Sequence, residues 1–140
     1  MSRSTYDQLG SERADRLVSA IFALGGVGYV ALCSGQEVLL RTAPGMVSTT
    51  TEETNFYEEL LVNPTLLQLA SQRAHLDCEG LRYIAIGYGG FVQLIMLMKD
   101  GHASMGVSRK VNAGELAARV QTLLEEHGQA WVPPAPWLLG

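Results

Sequence analysis

Leu81-Arg82-Tyr83-Ile84-Ala85-Ile86-Gly87-Tyr88-Gly89-Gly90-Phe91-Val92-Gln93-Leu94-Ile95-Met96-Leu97-Met98 is the most apolar run of the chain, with 16 uncharged residues between Arg82 and Lys99. A membrane span needs about 20 apolar residues, and Gly87, Gly89, Gly90 and Gln93 interrupt this run. It reads instead as two strands, Leu81 to Ile86 and Phe91 to Met98, joined by a turn at Gly87 to Gly90. Asp100-Gly101 is a hairpin signal, because glycine there supplies backbone angles that other residues resist. It leads to a third strand from His102 to Ser108. Three strands in hairpin succession make an antiparallel meander.

Working outward, the helical signals lie on either side. Downstream, Asn112-Ala113-Gly114-Glu115 is a variant capping box, and Leu116, Ala117, Val120, Leu123 and Leu124 share one face up to His127-Gly128. Upstream, Asn55 to His75 is helical but interrupted at Asn63-Pro64, an N-cap residue followed by the residue tolerated at a first helical position. Two short helices or one kinked helix is expected there. Its second part carries Leu66, Leu67, Leu69, Ala70 and Arg73 around more than half of its circumference, more apolar surface than one sheet face can cover.

Before it, Thr42 to Thr54 has neither period and reads as a surface loop. Val27 to Ser34 and Gln36 to Arg41 form a hairpin turning at Ser34-Gly35. Leu17, Val18, Ile21 and Phe22 mark an amphipathic first helix, with Ser4 or Ser11 as its cap and Gly25-Gly26 as its stop. The order is α-β-β-α-β-β-β-α: an α/β chain of the α+β type, with a five-stranded antiparallel sheet flanked by helices. Residues 1–128 form one domain in this reading. Residues 129–140, with Trp131, Trp137 and three prolines, form an extended tail whose aromatics are candidates for packing on the body, a second subunit or a partner.

Composition narrows the function classes. The net charge is −4 and the ten Lys and Arg residues are scattered, which argues against a nucleic-acid surface. With 47% hydrophobic and 17% charged residues, the surface is expected to be partly covered by a partner. Met1 to Asp7 has no apolar signal-peptide core, and Cys33 and Cys78 lack CxxC spacing. Both read as reduced thiols, and the expectation is a cytoplasmic protein without membrane insertion.

The element order, the Gly25-Gly26-Val27-Gly28 lead into the first strand and the stretch from Leu81 to Met98 resemble the roadblock/dynein-light-chain family over roughly Ser11 to His127. The resemblance implies a roadblock/profilin-like fold and a homodimer in which the middle helix and third strand of each subunit pair with their counterparts. It also implies a non-catalytic regulator or scaffold, since bacterial relatives act on Ras-like small GTPases and eukaryotic relatives are adaptors. Asn63-Pro64 departs from the family's uninterrupted middle helix. The expected interface residues are Leu66, Leu69, Ala70, Arg73, Tyr83, Ile84, Ala85 and Ile86. The residues themselves support one part of this, because an apolar strand left at a sheet edge is an aggregation hazard unless paired.

Chemical motifs are weak. Gly25 to Gly28 runs from helix into strand, the reverse of a phosphate-binding loop. His102-Ala103-Ser104-Met105-Gly106 lacks the strand-turn-helix context of a nucleophile elbow, and His102 reads as an exposed or strand-end residue. His75, Asp77 and Cys78 are too few for a structural zinc site. A Cys33 or Cys78 pairing with His102 has no third orienting group in the sequence, and Cys33 reads as an inert small hydrophobe. Glu52, Glu53, Glu58 and Glu59 read as solvated charges near a helix N-terminus. No catalytic residue, metal or cofactor is therefore expected. The alternative is a ligand-sensing domain of profilin- or PAS-like architecture, with a cavity lined by Tyr29, Phe91 and methionines. A small hydrolase using Ser104 or Cys78 is a third reading.

Overall fold

The computed structural model describes residues 11–35, 37–43, 57–78 and 80–131. Its elements are α1 (Ser11–Ala23), β1 (Val27–Ser34), β2 (Glu37–Thr42), a π-helical turn (Glu58–Val62) running into α2 (Asn63–Asp77), β3 (Ile84–Gly87), β4 (Val92–Met98), β5 (Gly101–Val107) and α3 (Ala113–Glu126). The five strands form one antiparallel sheet in the order β2-β1-β5-β4-β3. The first and second hairpins are thus joined through β1 and β5, the strands of greatest sequence separation. The expected α+β architecture is the observed one.

Turn chemistry fixes the hairpins where the sequence places them. Gly35 has φ +63 and Gly101 φ +147. A side chain at Gly101 would also collide with the Cys33 backbone carbonyl, so this turn is tied to β1 as well as to its own hairpin. The Asn112 side chain accepts from the Glu115 backbone N–H at 3.0 Å, which caps α3 as its sequence indicates.

Strand alternation sorts the sheet into two unlike faces. One bears Val30 and Leu32 of β1, Leu94, Met96 and Met98 of β4, and Ala103, Met105 and Val107 of β5. These pack against Leu17, Val18 and Ile21 of α1 and Leu116, Val120 and Leu124 of α3 to form the main core. The other face carries Tyr29, Ala31 and Cys33, then Gln93 and Ile95, then His102 and Ser104, in register across β1, β5 and β4. Over it lies the π turn and α2, with Glu59, Asn63, Leu67 and Ala74 buried.

Of the two expected forms, the middle helix is not the one split into two. It is neither split nor capped at Asn63, since Val62 and Asn63 both keep right-handed helical angles. Instead the Asn63 backbone N–H reaches back five residues to the Glu58 carbonyl. Pro64 has no N–H and its ring crowds the carbonyl four residues earlier. Widening the preceding turn relieves that crowding without breaking the helix. Thr65 Oγ1 donates to the Leu61 carbonyl at 2.6 Å, which gives that carbonyl a partner.

Thr42 to Thr54 falls almost entirely outside the described residues, as do Glu52, Glu53, Asn55, Ser4 and Trp137. The beginning of the C-terminal segment is attached to the sheet. Lys99 N–H donates to the Gln129 carbonyl at 2.9 Å, and Ala130 bridges Met98 in antiparallel fashion, on the side of β4 where β3 pairs further along.

Candidate functional site

Two features of the α2 side of the sheet carry functional information: an apolar margin that is a sheet edge among the described residues, with a helix that is apolar on its back, and a polar cluster underneath.

β2 and β3 are the two edges of the sheet. β2 is defended by charge, with Glu37 and Arg41 exposed and Arg41 Nε 3.4 Å from Asp15. Charged side chains are a usual means of blunting an edge. β3 reads Ile84-Ala85-Ile86-Gly87 and has no charge at all. Ile84 and Ile86 sit opposite Ile95 and Gln93, which places them on the α2 side, and both are half-buried; Ala85 is exposed. Tyr83 precedes the strand and packs against the main core.

On α2 and the turn before it, Leu61, Leu69 and Leu76 are 53%, 60% and 77% exposed. Each follows a buried residue (Glu59, Leu67, Ala74) by two positions, about 200° around the helix axis. The helix therefore has an apolar stripe diametrically opposite its buried one. Leu66 and Ala70 are half-buried on its flank, and Arg73 is exposed. The excess of apolar surface expected on this helix is present, and it extends to Leu61 and Leu76, which lie outside the apolar set expected from the sequence.

Beneath the helix, a hydrogen-bonded chain crosses the interior. Tyr29 OH donates to Gln93 Oε1, and Gln93 Nε2 donates to Ser104 Oγ. Asn63 Nδ2 lies 3.4 Å from Ser104 Oγ and 3.0 Å from Glu59 Oε1. The same Glu59 oxygen is 2.9 Å from His102 Nε2 and accepts from Cys33 Sγ at 3.6 Å. Glu59, Asn63, Gln93, His102, Ser104 and Cys33 are all buried. Only Asn63 Oδ1 and, elsewhere, Gln129 Oε1 are buried side-chain atoms without a partner among the described residues.

Burial pushes the Cys33 thiol far above its ordinary range, and the nearby Glu59 charge adds to this. Burial does the same to the Tyr29 phenol, assisted by Glu58 and Glu59. Glu58 is raised too, first by burial and then by Glu59. A thiol held protonated is a poor nucleophile. Ser104 is fixed between amides, while His102 Nε2 addresses Glu59.

Three sequence-level expectations are corrected here. His102 is 6% exposed and Glu59 2%, so neither is a solvated residue: the in-phase alternation of β5 turns His102 under α2, and the wide turn before Asn63 turns Glu59 inward. Cys33 is buried as expected, yet it is hydrogen-bonded to a carboxylate, the third group the sequence did not disclose. The signal that could have revealed the cluster is phase, because Cys33, Gln93, His102 and Ser104 all fall on one face of their apolar strands. Glu59 and Asn63 are likewise four apart on one helix face.

Of the cavity residues expected in the ligand-sensing alternative, Tyr29 and Phe91 stack edge-on with centroids 6.2 Å apart. Met96, Met98 and Met105 lie in the main core, on the other side of the sheet from Tyr29.

Among the described residues, no helix is long and apolar enough to cross a membrane. The sequence matches no family model and no curated protein. Solved structures do match. A roadblock/LC7 domain from Streptomyces avermitilis superimposes with TM-score 0.61 at 11% identity, covering 80% of this chain and 92% of that one. The gliding protein MglB from Thermus thermophilus gives TM-score 0.63 at 11% identity, with 91% and 93% covered. An MglB with a tetrameric arrangement gives 0.58 at 12% identity, with 91% and 95% covered. The sequence-level resemblance is thus met by the architecture, and the chain has the roadblock/LC7 fold.

Proposed function

We propose that the protein is a homodimeric, non-catalytic scaffold or regulator that docks a partner protein of the small-GTPase class. The observation that carries the reading is the double-sided α2: its Leu61, Leu69 and Leu76 stripe lies opposite the stripe that the sheet already covers. A second copy is the occupant best suited to it. A helix back carrying one straight apolar line is complementary to itself about a twofold axis, and the undefended β3 edge on the same side of the sheet continues through its own symmetry mate. Leu66, Leu69, Ala70, Arg73 and Ile84 to Ile86 would line this seam, with Tyr83 beside it. Trp131 follows the Ala130 bridge on the β3 side of β4, which brings one of the two tail aromatics toward the same margin; Trp137 lies outside the described residues. The likeness to MglB, one form of which has a tetrameric arrangement, supports self-association. The GTPase partner rests on the family resemblance.

Sedimentation of the tag-free chain at micromolar concentration is the test. A dimer is expected, and Leu61→Glu with Leu69→Glu should yield a monomer with unchanged circular dichroism. A wild-type monomer overturns the reading. Titration of the wild-type dimer with a Ras-like GTPase from the same host, loaded with GTP or GDP analogues, tests the partner: nucleotide-dependent binding supports it, and equal failure in both states removes it.

A further inference from the structure

Cys33, Glu59 and His102 come from β1, the π turn and β5, and their ligand-type atoms all lie within 4.8 Å of one another in the interior. Thiolate, imidazole and carboxylate around a tetrahedral ion sit about 3.3 to 3.6 Å apart, as follows from metal bonds of about 2.0 to 2.3 Å. Cys33 Sγ is 3.6 Å and His102 Nε2 2.9 Å from Glu59 Oε1, each within a few tenths of an ångström of its coordinating separation, and the sulfur and the imidazole nitrogen lie within 4.8 Å of one another. From this geometry we infer that Cys33, Glu59 and His102 form a binding site for a divalent ion of the zinc class.

Charge supports the assignment. One thiolate, one carboxylate and a neutral imidazole neutralise a divalent ion, which is the condition for placing charge in an apolar interior. The donor set excludes the hard ions, since calcium and magnesium require oxygen ligands, whereas sulfur with nitrogen suits zinc and its neighbours. A structural site also needs a fourth ligand. The amide of Asn63 is fully buried, with Nδ2 on Glu59 and Oδ1 without a partner. A half-turn about its last torsion exchanges the two ends and aims the oxygen at the cluster. Ser104 and Gln93 then form the outer shell.

Binding releases the Cys33 proton to solvent as the metal–sulfur bond forms, and the hydrogen that His102 Nε2 offers Glu59 in the metal-free protein shifts to Nδ1, so that the Nε2 lone pair is free to coordinate. The site is closed, so the ion enters as the chain folds. Its effect is to tie the π turn to β1 and β5, clamping the beginning of the helix whose back forms the proposed seam.

Cobalt(II) is the probe. The tag-free chain is unfolded in chelator, refolded with cobalt and desalted. About one cobalt per chain with a thiolate-to-cobalt charge-transfer band in the near ultraviolet is expected. Cys33→Ser removes the band, and Cys78→Ser leaves it. His102→Gln weakens binding by more than the roughly 10- to 100-fold that loss of an outer-shell partner costs. Absence of the band in folded wild type overturns the site, as does a band lost with Cys78→Ser or retained with Cys33→Ser. Because the wild-type and Cys78 results decide by themselves, a Cys33 variant that fails to fold does not leave the question open. Dimerisation is read separately, by sedimentation.

Discussion

His102 Nε2 stands 2.9 Å from Glu59 Oε1, with the two side chains only 7% and 2% exposed. The carboxylate can only accept, so His102 presents a hydrogen on Nε2 in the metal-free protein. Deleting one partner strands the other in the interior, at a cost of about 3 to 5 kcal/mol. His102→Ala should therefore lower the urea unfolding free energy of the metal-free chain by that amount. His102→Leu combined with Glu59→Leu should cost less than the sum of the single changes, because no buried charge is left without its counterpart. A single-variant loss below about 1 kcal/mol would put the pair in the class of exposed, weak bridges and refute its structural importance.

The two cysteines should behave oppositely toward a thiol reagent. Cys78 is exposed and Cys33 buried, and burial with the adjacent Glu59 charge keeps the Cys33 thiol protonated. One thiol per native chain should react promptly and the second only on unfolding, with Cys78→Ser abolishing the prompt phase.

The same Cys33 shift has an alkaline consequence. The folded chain holds the proton where the unfolded chain loses it, so stability is full below the unfolded thiol's range and declines as pH rises through it. In metal-free protein, Cys33→Ala should flatten that decline in urea midpoints. An unchanged slope would show that Cys33 ionises alike in both states.

Glu58 shows the acidic counterpart. Burial, then the charge on Glu59, raises its carboxyl above the ordinary value. A raised acid binds its proton more tightly when folded, so its contribution is fully present below the unfolded value and is lost as pH rises through the folded one. Glu58→Gln should stabilise the protein near neutrality and leave it little changed in acid. A fall in the neutral urea midpoint would reverse the assigned sign.

How much was legible differs between elements. The β1 hairpin with its Gly35 turn, the Asp100-Gly101 turn and the Asn112 cap follow from interactions within a few residues, and each lies where the sequence puts it. The middle helix was legible as helix and as over-apolar. Its winding was not, because a proline's crowding can be relieved by a kink, a break or a wider turn, and docking on the sheet selects among them. Leu61 was missed for the same reason: the extra residue per turn before Asn63 rotates everything preceding it. Leu76 lies beyond the last apolar position that the periodicity marked, so its place on the stripe emerged only with the helix docked.

Local periodicity, turn chemistry and charge on the strands determine the element order, the antiparallel pairing within each hairpin and the contrast between a defended β2 and an undefended β3. Bringing β1 beside β5, and the first turn of α2 over both, is a long-range choice governed by burial of the main core on the opposite face. Only that choice gathers a thiol, a carboxylate and an imidazole from remote positions, because hydrophobic burial is non-directional and leaves no mark in the sequence of which polar side chains it will bring into register.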